Sequence, residues 1–211
     1  MGASDTLING EHSENITQAL YGEIFSASLR LNRLIENLLN MARLESGRLS
    51  VRVDWYDIHD LINKVTGDLK DELKNHNLVI DLNDDLPLVR FDFGLMEQVL
   101  YNLLINAVQY APPASEIVLA THYENGEVTF QLKDRGPGFP EEQLSNVFQK
   151  FYRLKGQNTG GLGLGLSIVK GFVEAHNGTI SVRNRRNGGA CFTLAIPSEN
   201  ADISNLTWET E

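Results

Sequence analysis

Two asparagines, Asn102 and Asn106, stand four residues apart in the apolar run Asn102-Leu-Leu-Ile-Asn106-Ala-Val-Gln-Tyr110. That spacing puts both amides on one face of a helix. An asparagine carbonyl is a hard oxygen ligand of the kind Mg2+ accepts beside waters and phosphates; a pair of satisfied helix asparagines is the alternative that the residues leave open. Downstream, Asp134-Arg-Gly136-Pro-Gly138 follows a strand-like run. A carboxylate there can accept a hydrogen bond from an exocyclic amino group such as that of adenine, and glycines let a flat ring approach the backbone. An ordinary turn has the same composition. Next, Phe148-Gln-Lys150-Phe151-Tyr152-Arg153 joins aromatic anchors for a loop to Lys150 and Arg153, cations able to reach a terminal phosphate. Core packing beside solvated basic residues is the competing reading. Last, Gly160-Gly161-Leu162-Gly163-Leu164-Gly165-Leu-Ser167 opens a helix with alternating glycines, which expose backbone N–H groups to anionic oxygens at the positive helix end. No Gly-Lys-Ser/Thr follows, so this is not a P-loop. No βαβ unit with an acidic residue about 20 positions on surrounds it, so it is not a dinucleotide fingerprint. The interleaved leucines, with Ile168 and Val169, argue against a solvated linker.

The elements that must position these groups can be read from periodicity. Residues 17–46 carry Leu20, Ile24, Ala27, Leu31, Leu34, Leu38 and Met41 at alternating spacings of four and three, a heptad seam that ends at Gly47. Ile35 and Leu39 widen the apolar face, which suits a helical bundle; packing on the chain's own domain is the alternative. Leu49, Val51 and Val53 alternate with polar residues as a strand does. Asp57 is placed to cap a helix running to about Asn75. Short strands are expected at 78–82 and 88–91, and an apolar helix over Phe93–Tyr110 stopped by Pro112–Pro113. A hairpin over 116–123 and 127–133 turns at Asn125–Gly126. A short helix at 141–149, a helix from the glycine run to Asn177–Gly178, and strands at 179–185 and 190–196 complete the series. Without regular βαβ alternation the pattern predicts an α+β, two-layer sandwich with helices on one face of a mixed sheet.

The bulk properties narrow the function classes. A chain of 211 residues that is 42% hydrophobic accommodates one sizeable domain plus an appendage, or two small domains. A formal net charge of −10 argues against a nucleic-acid binder, which needs a basic footprint. The one cysteine, Cys191, permits no intrachain disulfide and fits a reducing cytoplasmic setting. No apolar run approaches the ~18–20 residues of a membrane span, so no direct membrane contact is expected of this stretch.

Taken together and in this order, the four patterns resemble the N box, first glycine box, F box and second glycine box of the Bergerat-type (GHKL) ATP-binding fold shared by sensor histidine kinases, DNA gyrase and MutL. The resemblance covers about residues 47–197. It implies ATP and Mg2+ as cofactors, with Asn106 as the Mg2+ ligand and Asn102 beside the phosphates. It implies Asp134 on the adenine amino group, Gly136 and Gly138 shaping that wall, and Tyr110 against the nucleotide. Gly161, Leu162, Gly163, Leu164 and Gly165 would wrap the phosphates. Arg153 is a candidate γ-phosphate contact, and the loop from Arg153 to Gly161 would close over the triphosphate as a lid. Two departures matter. Many histidine kinases carry Lys three residues after the Mg2+-binding asparagine, where this chain has Gln109, so that contact would be lost or moved to Lys150 or Lys155. ATPases of the fold place a general-base Glu where this chain has Asn102, which cannot deprotonate water.

The helix ending Asn37-Leu-Leu-Asn-Met-Ala-Arg-Leu-Glu-Ser-Gly47 resembles the second helix of a histidine-kinase dimerisation domain. Of the five histidines, none has the family's His-Asp/Glu-Leu-Arg/Lys-x-Pro surroundings. His59-Asp60-Leu61 copies three letters and continues Ile-Asn-Lys, so it reads as a decoy. The expected organisation is thus 1–46 as partial dimerisation helix without its phosphoacceptor, 47–197 as ATP-binding catalytic domain, and 198–211 as polar tail. The segment beginning Met1-Gly-Ala-Ser is expected to lie just past the true site, in a longer parent sensor at the inner membrane. The run from Gly156 to Gly178 most resembles the potassium-responsive sensor kinases. Expected partners are ATP or ADP, the parent's own dimerisation domain and a response regulator. A stand-alone ATPase of this fold and an anti-sigma-type serine kinase are the competing readings.

Overall fold

The computed structural model describes residues 14–83, 86–153 and 162–199. The chain begins with one long helix, α1 (Glu14–Glu45). It stops where the sequence puts Gly47, whose φ of +64° is open to glycine at little cost. The Gly47 N–H donates to Leu44 O and the Arg48 N–H to Arg43 O, the paired bonds that close a helix end of this type.

Next come β1 (Asp54–Tyr56), α2 (Ile58–Asp68), the single turn α3 (Lys70–Leu73), β2 (Asn77–Leu82) and β3 (Val89–Phe91). The strand expected at 49–53 forms instead at Asp54–Tyr56, because pairing rather than alternation sets it: Asp54 to Tyr56 match Phe91 to Val89 in a separate two-stranded sheet. Asp57 caps α2 as expected, its carboxylate accepting from the His59 N–H. The single helix expected to Asn75 breaks at Leu69 (φ −100°, ψ 15°), a fully buried side chain that seats the kink in the core.

The rest of the chain is α4 (Phe93–Tyr110), β4 (Glu116–Glu124), β5 (Glu127–Lys133), a 3-10 helix at Glu141–Asn146, α5 (Gly165–Ala175), β6 (Thr179–Asn184) and β7 (Ala190–Pro197). The helix expected at 141–149 is thus shorter and tighter. The main sheet runs β2-β4-β5-β7-β6, with only the β2–β4 pair parallel. Asn125 and Gly126 both have positive φ and join Glu124 to Glu127 as a two-residue turn of the kind that matches strand twist.

Period-two patterning gives the sheet one covered face. Ile117, Leu119, Val128, Phe130, Leu132, Phe192, Leu194 and Ile196 are buried under α2, α4 and α5. This is the predicted two-layer α+β sandwich.

His176 ties the helical layer together. It is buried at the C-terminal end of α5. Its Nδ1 lies 2.8 Å from Phe172 O, and its Nε2 accepts the Asp92 N–H at 3.0 Å. A carbonyl can only accept and an amide N–H only donate, so the ring carries its proton on Nδ1. Asp92 is the N-cap of α4, where Oδ1 takes the Leu95 N–H and Oδ2 the Arg52 N–H. His176→Ala removes the acceptor and leaves a buried N–H unpaired. It is expected to cost about 2 kcal/mol and lower Tm by roughly 4–8 °C in a thermal melt. An unchanged Tm would rule out that role for the ring.

The heptad seam meets a divided fate. Met41 is buried, and Leu20, Ile24 and Leu34 are half-buried, while Leu31 and Leu38 stay exposed with Ile35 and Leu39. Only the last turns of α1 dock on the sandwich. There Leu44 fits against Gly171, where an added Cβ would lie 2.7 Å from it. Asn40 donates to Gln98 at 2.6 Å, and Lys150 pairs with Glu45.

Candidate functional site

A cavity of about 370 Å3 opens between α4, the start of α5, the loop after β5, the segment around Tyr152 and the C-terminal half of α1. The four sequence patterns, far apart in the chain, meet in its walls. Asn102, Asn106 and Tyr110 come from one face of α4. That helix is held in place by Met96, Val99, Leu100, Leu103 and Leu104, all buried in the core. A Cβ on Gly165 would sit 3.6 Å from Asn102 Oδ1, so the asparagine face and the glycine-led start of α5 lie side by side.

Asp134 is 6% exposed at the end of β5 and faces the cavity. Its Oδ1 accepts the Gly136 N–H at 2.7 Å and the Ala190 N–H at 3.1 Å. Two backbone donors on one oxygen fix the carboxylate plane and leave Oδ2 as the acceptor for an incoming group. Gly136 is tightly enclosed, since a Cβ would lie 3.0 Å from both Asp134 Oδ1 and Tyr110 O. Gly138, at φ +70°, is crowded from the protein side: its Cβ would meet Asn184 Oδ1 at 2.6 Å. Gly138 lines the cavity, and both glycines also make room for the loop's own packing.

In the third pattern, Phe148 stands edge-on to Phe192 at 6.4 Å and joins the core. Phe151 does not anchor anything: it is 66% exposed, at φ +61°. The anchor is Tyr152, which lines the cavity and donates to Gln143 Oε1 at 2.5 Å. Burial, and secondarily the Glu142 carboxylate, push its hydroxyl pKa up from the ordinary value, so it remains a donor. Arg153 reaches the cavity and Gln109 sits exposed at its edge. Lys150 is not among the lining residues and is held by Glu45.

Leu162, Gly163, Leu164 and Gly165 line the cavity. Gly163, at φ +71°, passes so close to Tyr152 that a Cβ would lie 2.8 Å from its carbonyl oxygen. Gly161, Lys155 and the greater part of the expected lid fall within 154–161, outside the described residues. His12 is likewise outside them. His59 is on the first turn of α2, with its ring 2.8 Å from the N-cap Asp57, away from the cavity.

Sequence reasoning missed the contribution of α1. Leu34, Glu36, Asn37 and Asn40 all line the cavity, together with Gln98 on α4. The i, i+3, i+4 spacing of Asn37, Asn40 and Met41 was visible, but the partner surface was not. The donor set suits an ion carried in by a ligand rather than one held by the protein. Among the described residues no cluster of three His, Cys, Asp or Glu side chains could hold a metal, and the cavity's asparagines offer single neutral oxygens.

Comparison with known proteins agrees with this arrangement. Residues 92–200, just over half the chain, match the family described as histidine kinase-, DNA gyrase B-, and HSP90-like ATPase. The chain is 34% identical over 203 residues to the sensor protein KdpD of Clostridium acetobutylicum, covering 94% of this chain and 23% of that protein. It is 37% identical over 192 residues to KdpD of Escherichia coli, covering 90% and 21%. The sensor protein SrrB of Staphylococcus aureus is 32% identical over 202 residues, at 93% and 34% coverage. The chain therefore spans between 21% and 34% of the length of these relatives.

Among solved structures, full-length ShkA in complex with AMPPNP superposes with a TM-score of 0.75 at 25% identity, over 92% of this chain and 41% of that one. The nucleotide-free catalytic domain of the histidine kinase ThkA gives 0.63 at 26% identity, over 71% and 96%. No helix among the described residues is long and apolar enough to cross a membrane. By its sequence, its sheet order and its cavity, the chain belongs to the histidine kinase-, DNA gyrase B-, and HSP90-like ATPase family, and carries a catalytic domain of the kind found in sensor histidine kinases.

Proposed function

We propose that the cavity binds ATP with Mg2+ and presents the γ-phosphoryl group to a histidine on a dimerisation helix, from which it passes to a response-regulator aspartate. The observation that carries this reading is Asp134, whose Oδ1 is fully used by two backbone amides and whose Oδ2 is left to accept the adenine amino group. Tyr110 then lies against the base, Asn102 beside the phosphates, and Gly161 to Gly165 along them. Arg153 reaches the γ-phosphate, and Lys150 becomes a second candidate once Glu45 releases it. A Mg2+ ion carried in with the nucleotide would neutralise charge building on the phosphate oxygens. Asn106 supplies it one carbonyl oxygen. Asn102 carries an amide where hydrolysis would need a base, which favours transfer to protein over a stand-alone ATPase. In this reading residues 1–46 contribute the second dimerisation helix, the parent protein is a homodimeric sensor anchored at the inner membrane, and this part faces the cytoplasm.

The test is a mixing experiment. The chain is incubated with labelled ATP–Mg2+, with and without a separate polypeptide carrying a sensor-kinase phosphoacceptor helix. Acid-labile phosphate is expected on the second polypeptide only. Transfer needs an in-line nucleophile, and none of this chain's histidines has the required surroundings. The chain itself is expected to stay unlabelled, in wild type and His59→Ala alike. Phosphohistidine mapped to His59 would overturn the assignment, and so would free phosphate as the only product.

A further inference from the structure

Asp134 is presented by a loop that runs from the end of β5 to the 3-10 helix and forms one wall of the cavity through Pro137, Gly138 and Phe139. Its first end is tied to β7, where Asp134 N donates to Ala190 O at 3.0 Å. Its far end is held by the Phe139 ring, edge-on to Phe192 at 6.1 Å, and by one polar side chain. Asn184, the last residue of β6, accepts the Phe139 N–H at 2.9 Å and donates to Phe139 O at 2.7 Å, as a neighbouring strand would. The same amide nitrogen lies 2.8 Å from Glu141 Oε1, extending the tie to the 3-10 helix. Gly138 closes onto this amide, in space that a Cβ would fill. Asn184 is not among the lining residues, and nothing in the four sequence patterns includes it.

We propose that Asn184 is a positioning residue for base selection: from outside the cavity it sets the loop so that Gly136 N–H holds Asp134 Oδ1 and Oδ2 faces the base. The inference rests on Asp134 reading the adenine amino group. Without Asn184 the Phe139 N–H and C=O lose both partners, and the loop backbone, held there only by the Phe139 ring, can shift towards water. The Gly136 N–H then leaves Asp134 Oδ1, and the carboxylate keeps only its Ala190 donor. A rotated carboxylate no longer distinguishes an amino group from a carbonyl at the base edge, while the phosphate contacts on α4 and α5 are unaffected.

The effect therefore falls on selectivity rather than on affinity in general. Affinities for ATP and GTP, each with Mg2+, are measured by calorimetry for wild type, Asn184→Ala, Asp134→Asn and His176→Ala, with a melt of each. Asn184→Ala is expected to lower the ATP-over-GTP ratio about tenfold through ATP, with GTP affinity changed by no more than about twofold. His176→Ala, which loosens the fold at the other end of α5, is expected to keep the wild-type ratio. If Asn184→Ala folds too poorly to bind, Asn184→Asp keeps the acceptor for Phe139 N–H while losing the donor, and is expected to lower the ratio in the same way. A ratio that collapses in Asp134→Asn but stays at wild type in the folded Asn184 variants overturns the role of Asn184 alone. A ratio unchanged in Asp134→Asn as well removes the base-reading role of Asp134, and this inference with it.

Discussion

Asp134→Asn is expected to weaken ATP binding by about 100-fold or more while the protein folds normally and its GTP affinity does not fall. The structure separates the two consequences. Oδ1 accepts two backbone N–H groups, from Gly136 and Ala190, and an amide oxygen can accept both. The asparagine is therefore held with its oxygen towards the backbone and its Nδ2 towards the cavity, because the reverse orientation would set three donors against one another. A donor now meets the adenine amino group, itself a donor, so the contact is lost and a repulsive one takes its place. Guanine presents a carbonyl at the corresponding edge and meets no such conflict. Calorimetry with ATP and GTP, alongside a thermal melt, checks both halves. Equal losses for the two nucleotides would show that Asp134 supports the site without reading the base.

Sequence alone located the site's floor well because the floor is local. α4 could be read to the residue: Asp92 caps it, a continuous apolar run fills it, and Pro112 follows its end. The asparagine pair and the glycine-led start of α5 needed only helical spacing to be placed. The hairpin at Asn125–Gly126 was legible for a similar reason, since two positive-φ positions demand particular residues. The four patterns meet in one cavity because α4, α5 and the loop after β5 surround the same end of the sandwich. That meeting is a tertiary fact, which the order of the patterns suggested only through the family resemblance.

What sequence could not show depends on contacts distant in the chain. Asn184 bonds a residue 45 positions away, and its polar neighbours give it the look of a strand-end residue. Asn40 meets Gln98 58 positions away. On sequence it is one polar residue beside a heptad seam, and only the docked helix shows why it is buried. Gly138 is informative in another way. Its glycine identity signals a close approach, and the structure adds a group that the sequence does not name: the Asn184 amide, packed where a Cβ would lie. The β1 offset has the same origin: Leu49, Val51 and Val53 have strand periodicity, yet β3 offers only three partners, and they face Asp54 to Tyr56.

Asn106→Ala is expected to remove most of the Mg2+-dependent part of ATP affinity, roughly 10–100-fold, and to leave Mg2+-free binding within about twofold. The asymmetry follows from what the cavity offers. Among the described residues no carboxylate cluster could hold a divalent ion by itself, so the ion's remaining ligands must come from triphosphate oxygens and water. On the proposed reading the protein's share is a single neutral oxygen from Asn106, which is half-buried on the cavity face of α4, one turn after the equally half-buried Asn102. Half-burial matters here. An exposed amide would exchange freely with water and contribute little, while a partly buried one presents its oxygen with less further ordering. Truncation to Ala removes that oxygen without adding charge or bulk. ATP affinity is measured in EDTA and in excess Mg2+ for both proteins, and the ratio of the two is compared. Asn102→Ala is the control: it is expected to weaken ATP binding similarly with and without the ion, since its Oδ1 lies beside Gly165 at the start of α5. If the ratio is the same in Asn106→Ala as in wild type, the ligand is another residue, and the asparagine pair belongs to the helix surface rather than to the chemistry.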